Sequence, residues 1–266
     1  MAARAMWKGV VRLGDGPVEA IPVKLYAAIE DRGVHFRLLH AKDGAPVRQE
    51  LVDPSAPEDE EVVEREDVRR GVALPDGRFV VLSDDELAAL APEPSRDVEV
   101  LRIVPRTAVD DAWFDRPYWL GPDGDDAGYA ALAATLAEIG GAAIVRWTMR
   151  NKRYQGAIIA RGGGLALVRL RHAEELVPIE LLEAPTGREP SDKELKLAEQ
   201  LVEALAGELE PELLADAHRE KLEALIEAKA DGKVVRMKRA KKAEETDDDG
   251  LAAALGASLQ KAKGGK

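Results

Sequence analysis

The sequence predicts an α+β protein whose strands come first and whose helices come last. Two observations carry this. From residue 6 to about residue 173, short segments rich in β-branched and aromatic residues are separated by turns of Gly, Asp and Pro. Beyond residue 173 the apolar side chains recur at helical spacing behind capping signals. A third observation concerns charge. The chain carries a formal net charge of -12, yet Ile139 to Ala173 contains no Asp or Glu and holds Arg146, Arg150, Lys152, Arg153, Arg161, Arg169 and Arg171.

The elements follow in order. KGVVRL, EAIPVKLYAAI and GVHFRLLHA read as strands, joined through GDGP and EDRG and followed by KDGAP. In such turns Gly supplies positive φ and Asp bonds its own backbone. The acidic, proline-containing stretch 53–70 reads as a solvated excursion. RFVVL is a short strand, and Ser83 with Glu86 forms a capping box ahead of LAAL, stopped by Pro92 and Pro94. DVEVLRIVP alternates as a strand does. GYAALAATLAEIG at 128–140 is an Ala/Leu helix ended by Gly140 and Gly141. AAIVRWTM, YQGAIIAR and LALVRL are strands with turns at NKR and GGG, so the basic stretch RWTMRNKRYQG spans a hairpin.

Ser191 and Glu194 cap a helix with Leu195, Ala198, Val202 and Leu205 on one face. Gly207 ends it, and Pro211 opens another in which Leu214, Ala217, Leu222, Leu225 and Ile226 repeat. Glu174 to Ala230 holds 16 acidic and 6 basic residues, so this part carries most of the acidity. KVVRMKRAKK, then the acidic linker AEETDDDG, lead to a short closing helix with Leu251, Leu255 and Leu259 at i, i+4, i+8.

Composition excludes several function classes. With no cysteine, disulfides, thiolate nucleophiles and Cys-bound zinc are out. The four histidines form no close metal pair, no phosphate-binding loop opens a helix, and no nucleophile elbow or kinase set is present. The expectation is a protein without catalysis, metal or cofactor. MAARAMWKGVV has no apolar leader core, and AALAATLA is far too short to span a bilayer, which predicts a cytoplasmic protein with no membrane partner. An acid-free basic segment in an acidic chain is suited to phosphate, provided the cations gather in space. Aromatics are only 4% and no recognition helix is visible, so DNA would be contacted through its backbone, without sequence preference. The rival reading is a protein–protein adaptor whose basic hairpin pairs with an acidic partner surface.

The order of segments resembles the bacterial Ku proteins of non-homologous end joining. The resemblance runs from RAMWKGVVRL and IPVKLYAA through VHFRLLHAKDGAPVRQELVD, VLSDDELAAL and SRDVEVLRIVP. It is strongest in WFDRPYWLGPDG and AIVRWTMRNKRYQGAIIA, and extends to KELKLAEQLVEAL and LAAALGASLQKAK. It implies a Ku-type β-barrel core over 1–173, with a bridge at about 70–125 that arches into a ring in the homodimer. It also implies a helical, dimerisation-associated part over 174–232, then a linker and a short ligase-docking helix over 233–266. The implied partners are double-stranded DNA ends, a second copy and the ATP-dependent DNA ligase D; the implied location is the nucleoid. Arg146, Arg150, Lys152 and Arg153, with Lys42 and Arg48 behind them, would contact DNA, and Leu251, Leu255 and Leu259 would dock the ligase. The chain lacks the cysteines that several relatives carry after the second hairpin, and its basic tail is short.

Overall fold

A computed structural model describes residues 4–14, 20–53, 61–182, 189–232, 255–256 and 258–260. Its strands are β1 (Trp7–Leu13), β2 (Ile21–Ala27), β3 (Val52–Asp53), β4 (Glu61–Val62), β5 (Arg70–Ala73), β6 (Phe79–Leu82), β7 (Asp97–Pro105), β8 (Phe114–Pro122), β9 (Gly141–Met149), β10 (Lys152–Arg161) and β11 (Gly164–Leu170). Its helices are α1 (Asp84–Ala89), α2 (Asp126–Glu138), α3 (Asp192–Leu205) and α4 (Ala217–Ala230).

Seven strands close a barrel in the order β1-β2-β8-β11-β10-β9-β7. Every pair is antiparallel except β1 with β7, where Val10 stands opposite Asp97. Alternation on each strand sends one set of side chains inward. Val11, Val23, Leu25, Val98, Leu120, Val145, Ile158 and Leu167 fill the interior around Trp147. Trp147 is 2% exposed, and its ring stacks on Tyr154 at 5.4 Å. Gly156 makes room for it: a Cβ there would lie 2.7 Å from the indole and 2.6 Å from the Val168 carbonyl. A smaller cluster of Val109, Ala142, Ala157, Ile159, Ala166 and Val168 lies on the outer face of β9–β11, under the residues that join β7 to β8.

Helix α2 closes one end of the barrel. It begins two residues before the expected start because the Asp125 carboxylate accepts from Gly128 N at 2.9 Å. It buries Leu132, Ala133 and Leu136. Tyr129 ties it to two strands, its hydroxyl donating to Leu120 O (2.7 Å) and accepting from Leu165 N (2.9 Å).

Between β2 and β7 the chain leaves the barrel for residues 28–96. This excursion holds two small two-stranded sheets, β3–β4 and β5–β6, and α1, whose Ser83–Glu86 capping box forms as expected. The resemblance implies a bridge at about 70–125. The stretch 70–125 includes β7 and β8, both barrel strands, while the chain departs from the barrel much earlier, after Ala27. GVHFRLLHA is also not a strand. Its one pairing is an isolated bridge, Leu39 to Pro46.

The chain divides into two compact units: residues 1–32 with 37–181, and 33–36 with 182–266. In the second unit Ser191 caps α3 as expected. Pro211–Leu214 is a 3-10 turn rather than the first turn of a helix. α4 starts after Asp216, whose carboxylate accepts from His218 N and Arg219 N, both at 3.0 Å. Leu195, Val202 and Leu205 on α3 are half or more exposed. Among the described residues no helix is long and apolar enough to cross a membrane.

Candidate functional site

The β9–β10 hairpin turns through two residues, Arg150 and Asn151, with Met149 facing Lys152 across its mouth. Both turn residues have positive φ, 52° and 57°. A two-residue connection with both centres left-handed is the turn that matches strand twist, and it favours Asn-Gly. Asn151 suits its position. Arg150 does not, since an ordinary side chain in the left-handed region costs about 1–2 kcal/mol. Strain of this kind gathers where a side chain is kept for its function.

Three cations project from this tip. Arg150, Lys152 and Arg153 are exposed and have no ion-pair partner among the described residues. The tip has neighbours of consequence. β2 runs out of the barrel and β7 runs into it at this same end, so the long excursion is rooted beside the hairpin.

The other window cations are met by acids from neighbouring strands. Arg146 on β9 faces outward, and Glu99 on β7 stands opposite it in register and accepts from its guanidinium at 2.8 Å. Arg169 pairs with Asp115 of β8 and lies over the Tyr154 ring at 5.4 Å, while Arg171 is 3.9 Å from the same carboxylate. The segment that reads as purely basic in sequence is therefore partly neutralised in space. A cleft of about 340 Å³ on the β1–β7–β9–β10 face is balanced, Arg12, Arg146 and Arg153 facing Glu93, Asp97 and Glu99. A cleft of about 270 Å³ on the other side of the tip is basic, with Lys152, Arg153, Arg169 and Arg171 against Asp115 and Glu175.

The remaining sequence candidates fall elsewhere. Lys42 lies in an exposed turn closed by Gly44 N to His40 O, with no ion pair among the described residues. Arg48 pairs with Glu50 at 2.7 Å. Leu251 lies outside the described residues; Leu255 is half-buried and Leu259 is 9% exposed. Among the described residues no group of His, Asp and Glu could hold a metal ion. Sequence reasoning passed over a further charged cluster on the barrel's outer face. Lys8 and Lys24 stand opposite each other on β1 and β2, and Asp123 bridges them at 2.9 and 2.7 Å. The bond to Lys24 and then that to Lys8 hold the Asp123 carboxyl below its usual range, and Asp123 in turn raises Lys24.

The family model for the Ku70/Ku80 β-barrel domain matches residues 16–197. The chain belongs to the Ku family. The Ku match reaches beyond the barrel. The chain is 35% identical over 264 residues to "Non-homologous end joining protein Ku 2" of Geotalea uraniireducens (strain Rf4), covering 98% of this chain and 99% of the relative. It is 35% identical to the "Non-homologous end joining protein Ku" of Mycobacterium tuberculosis (strain CDC 1551 / Oshkosh), over 86% of this chain and 84% of the relative. It is 34% identical to that of Mycolicibacterium smegmatis (strain ATCC 700084 / mc(2)155), over 99% and 84%. These matches run through both the barrel and the helical part after it.

Proposed function

We propose that the protein binds ends of double-stranded DNA as a homodimeric ring, without catalysis or base reading, in repair of double-strand breaks by non-homologous end joining. One observation carries the DNA part. Three cations without an ion pair among the described residues stand at and beside a strained turn on the barrel end where the excursion is rooted. Such a tip meets phosphates, and release of their counterions supplies affinity whatever the base sequence. The names of the relatives supply the process. The apolar side chains left open support a second copy. Phe79 and Val81 on the excursion, and Val202 and Leu205 on α3, are more than half exposed in the single chain. Exposed large apolar side chains of this kind suit a protein interface.

The terminal segment with Leu251, Leu255 and Leu259 recruits ligase D in this reading. Leu259 is buried in the single chain, so docking through it requires its release. A short helix that lays an apolar stripe into a partner's groove is a recurrent mode.

The test is an electrophoretic shift on linear and covalently closed DNA of equal length, with the wild type and an Arg150→Ala, Lys152→Ala, Arg153→Ala triple variant. Preference for linear DNA, lost in the variant while the dimer persists, is expected. Equal affinity for both forms would refute end binding. Dissociation of the dimer with DNA binding retained would favour the adaptor reading, which the acidity of Glu174 to Ala230 supports. Deleting residues 250–266 should leave DNA binding intact and abolish ligase stimulation; stimulation that survives refutes the docking role.

A further inference from the structure

We propose that the outer wall of the barrel carries a second binding site, a groove that takes an acidic peptide segment bearing a large apolar anchor. The groove, about 290 Å³, has a floor of Val104, Ile144 and Leu170 from three strands and a wall of Val109 and Trp113. It is preformed. Arg171 N donates to Trp113 O at 2.8 Å, and Arg106 both donates to Val109 O at 2.9 Å and covers the Phe114 ring at 4.7 Å. Preformed apolar clefts with few polar groups are where side chains of a ligand are seated.

The charge beside the floor decides the ligand. Gln155, Leu170 and Arg171 line this groove and also the basic cleft described above, so the two are continuous. An apolar end passes into a stretch where four cations face two carboxylates. Arg102, exposed and without an ion pair among the described residues, stands opposite Ile144 on the adjoining strand. An apolar floor gives nothing to a phosphodiester backbone, whereas a peptide with a Leu or Phe anchor followed by Asp and Glu satisfies both halves. Gln155, exposed between them, offers an amide to a peptide backbone. The acidic half of such a peptide would share Lys152 and Arg153 with DNA, so the apolar half is what goes beyond end binding and fails separately from it: Ile144 and Leu170 are not among the residues assigned to DNA.

The probe is a fluorescein-labelled peptide, LFGGDEDEDE, titrated by anisotropy with the full chain. Its controls are AAGGDEDEDE and LFGGKRKRKR. The first should bind at least tenfold more tightly than either control. Ile144→Ser, at the floor, and Arg171→Glu, at the exposed rim, should each weaken it about tenfold, and Arg171→Glu should gain affinity for LFGGKRKRKR. Ile144→Ser should leave duplex binding within twofold. Equal binding of LFGGDEDEDE and AAGGDEDEDE would overturn the proposal. So would a loss of duplex affinity in Ile144→Ser as large as the loss of peptide affinity, which assigns the groove to DNA. Dissociation of the dimer by Ile144→Ser would assign it to a subunit interface. Should Ile144→Ser misfold by circular dichroism, the charge exchange at Arg171 decides alone.

Discussion

Replacing Arg150 with glycine should separate stability from function. Arg150 sits at φ 52° in a two-residue turn. Glycine adopts that conformation freely, and although it loses more chain entropy on folding, the relieved strain is larger. The net effect is a gain of about 0.5–1 kcal/mol, which raises the melting temperature by roughly 1–4 °C in a protein of this size. The guanidinium makes no ion pair among the described residues, so its removal takes no partner away. Binding should move the other way. If Arg150 neutralises one phosphate, the slope of log K against log salt falls by about 0.9 for each protomer. The assays are thermal unfolding followed by circular dichroism, and anisotropy of a labelled 30-base-pair duplex across a salt series. A lower melting temperature would show that the turn is not strained. An unchanged slope would show that the tip does not touch phosphate.

Other outcomes can be checked in parallel. Arg146→Ala should reduce the salt slope less than Arg153→Ala, because Glu99 already neutralises Arg146; equal losses in the salt series would contradict this. Gly156→Ala should destabilise by about 1–3 kcal/mol in urea unfolding, since its Cβ meets the Trp147 ring and a backbone carbonyl. Leu136→Ala, at the buried face of α2, should cost about 2–5 kcal/mol by the same measurement. The Asp123 carboxyl is held low in the folded state, so its contribution to stability is present above the unfolded value and is lost as pH falls through the folded one. Asp123→Asn should therefore flatten the acid side of a plot of melting temperature against pH; in the wild type the Lys24 contribution, which Asp123 creates, fades only as pH rises through its raised value.

What the sequence revealed depended on whether the signal was local. The Ser83–Glu86 and Ser191–Glu194 boxes were legible because every atom involved lies within one turn. The β9–β10 hairpin was legible because its strands adjoin in sequence. GVHFRLLHA has the composition of a strand and is not one, since composition is local and strand pairing is set by partners elsewhere in the chain. The basic tip shows the same limit. An acid-free window identified the cations, but Glu99 and Asp115 come from other strands, and only barrel order brings them to Arg146 and Arg169. The groove beside Ile144 had no local sign at all, being built from β7, β9 and β11 with the segment that joins β7 to β8.

The parallel seam between β1 and β7 has a consequence for assembly in time. β9, β10 and β11 can zip as neighbouring hairpins, on the microsecond scale of such units. The seam cannot, because Val10 meets Asp97 only after the whole excursion has been gathered between them. Loop-closure entropy opposes that step, so barrel closure belongs late in folding. Until it happens, β1 and β7 both present open edges, in addition to the Phe79 and Val81 side chains that stay exposed in the closed barrel. A nascent chain in this state is prone to aggregate, and a prolonged lag between synthesis and closure is where a destabilising mutation in the seam would first be felt.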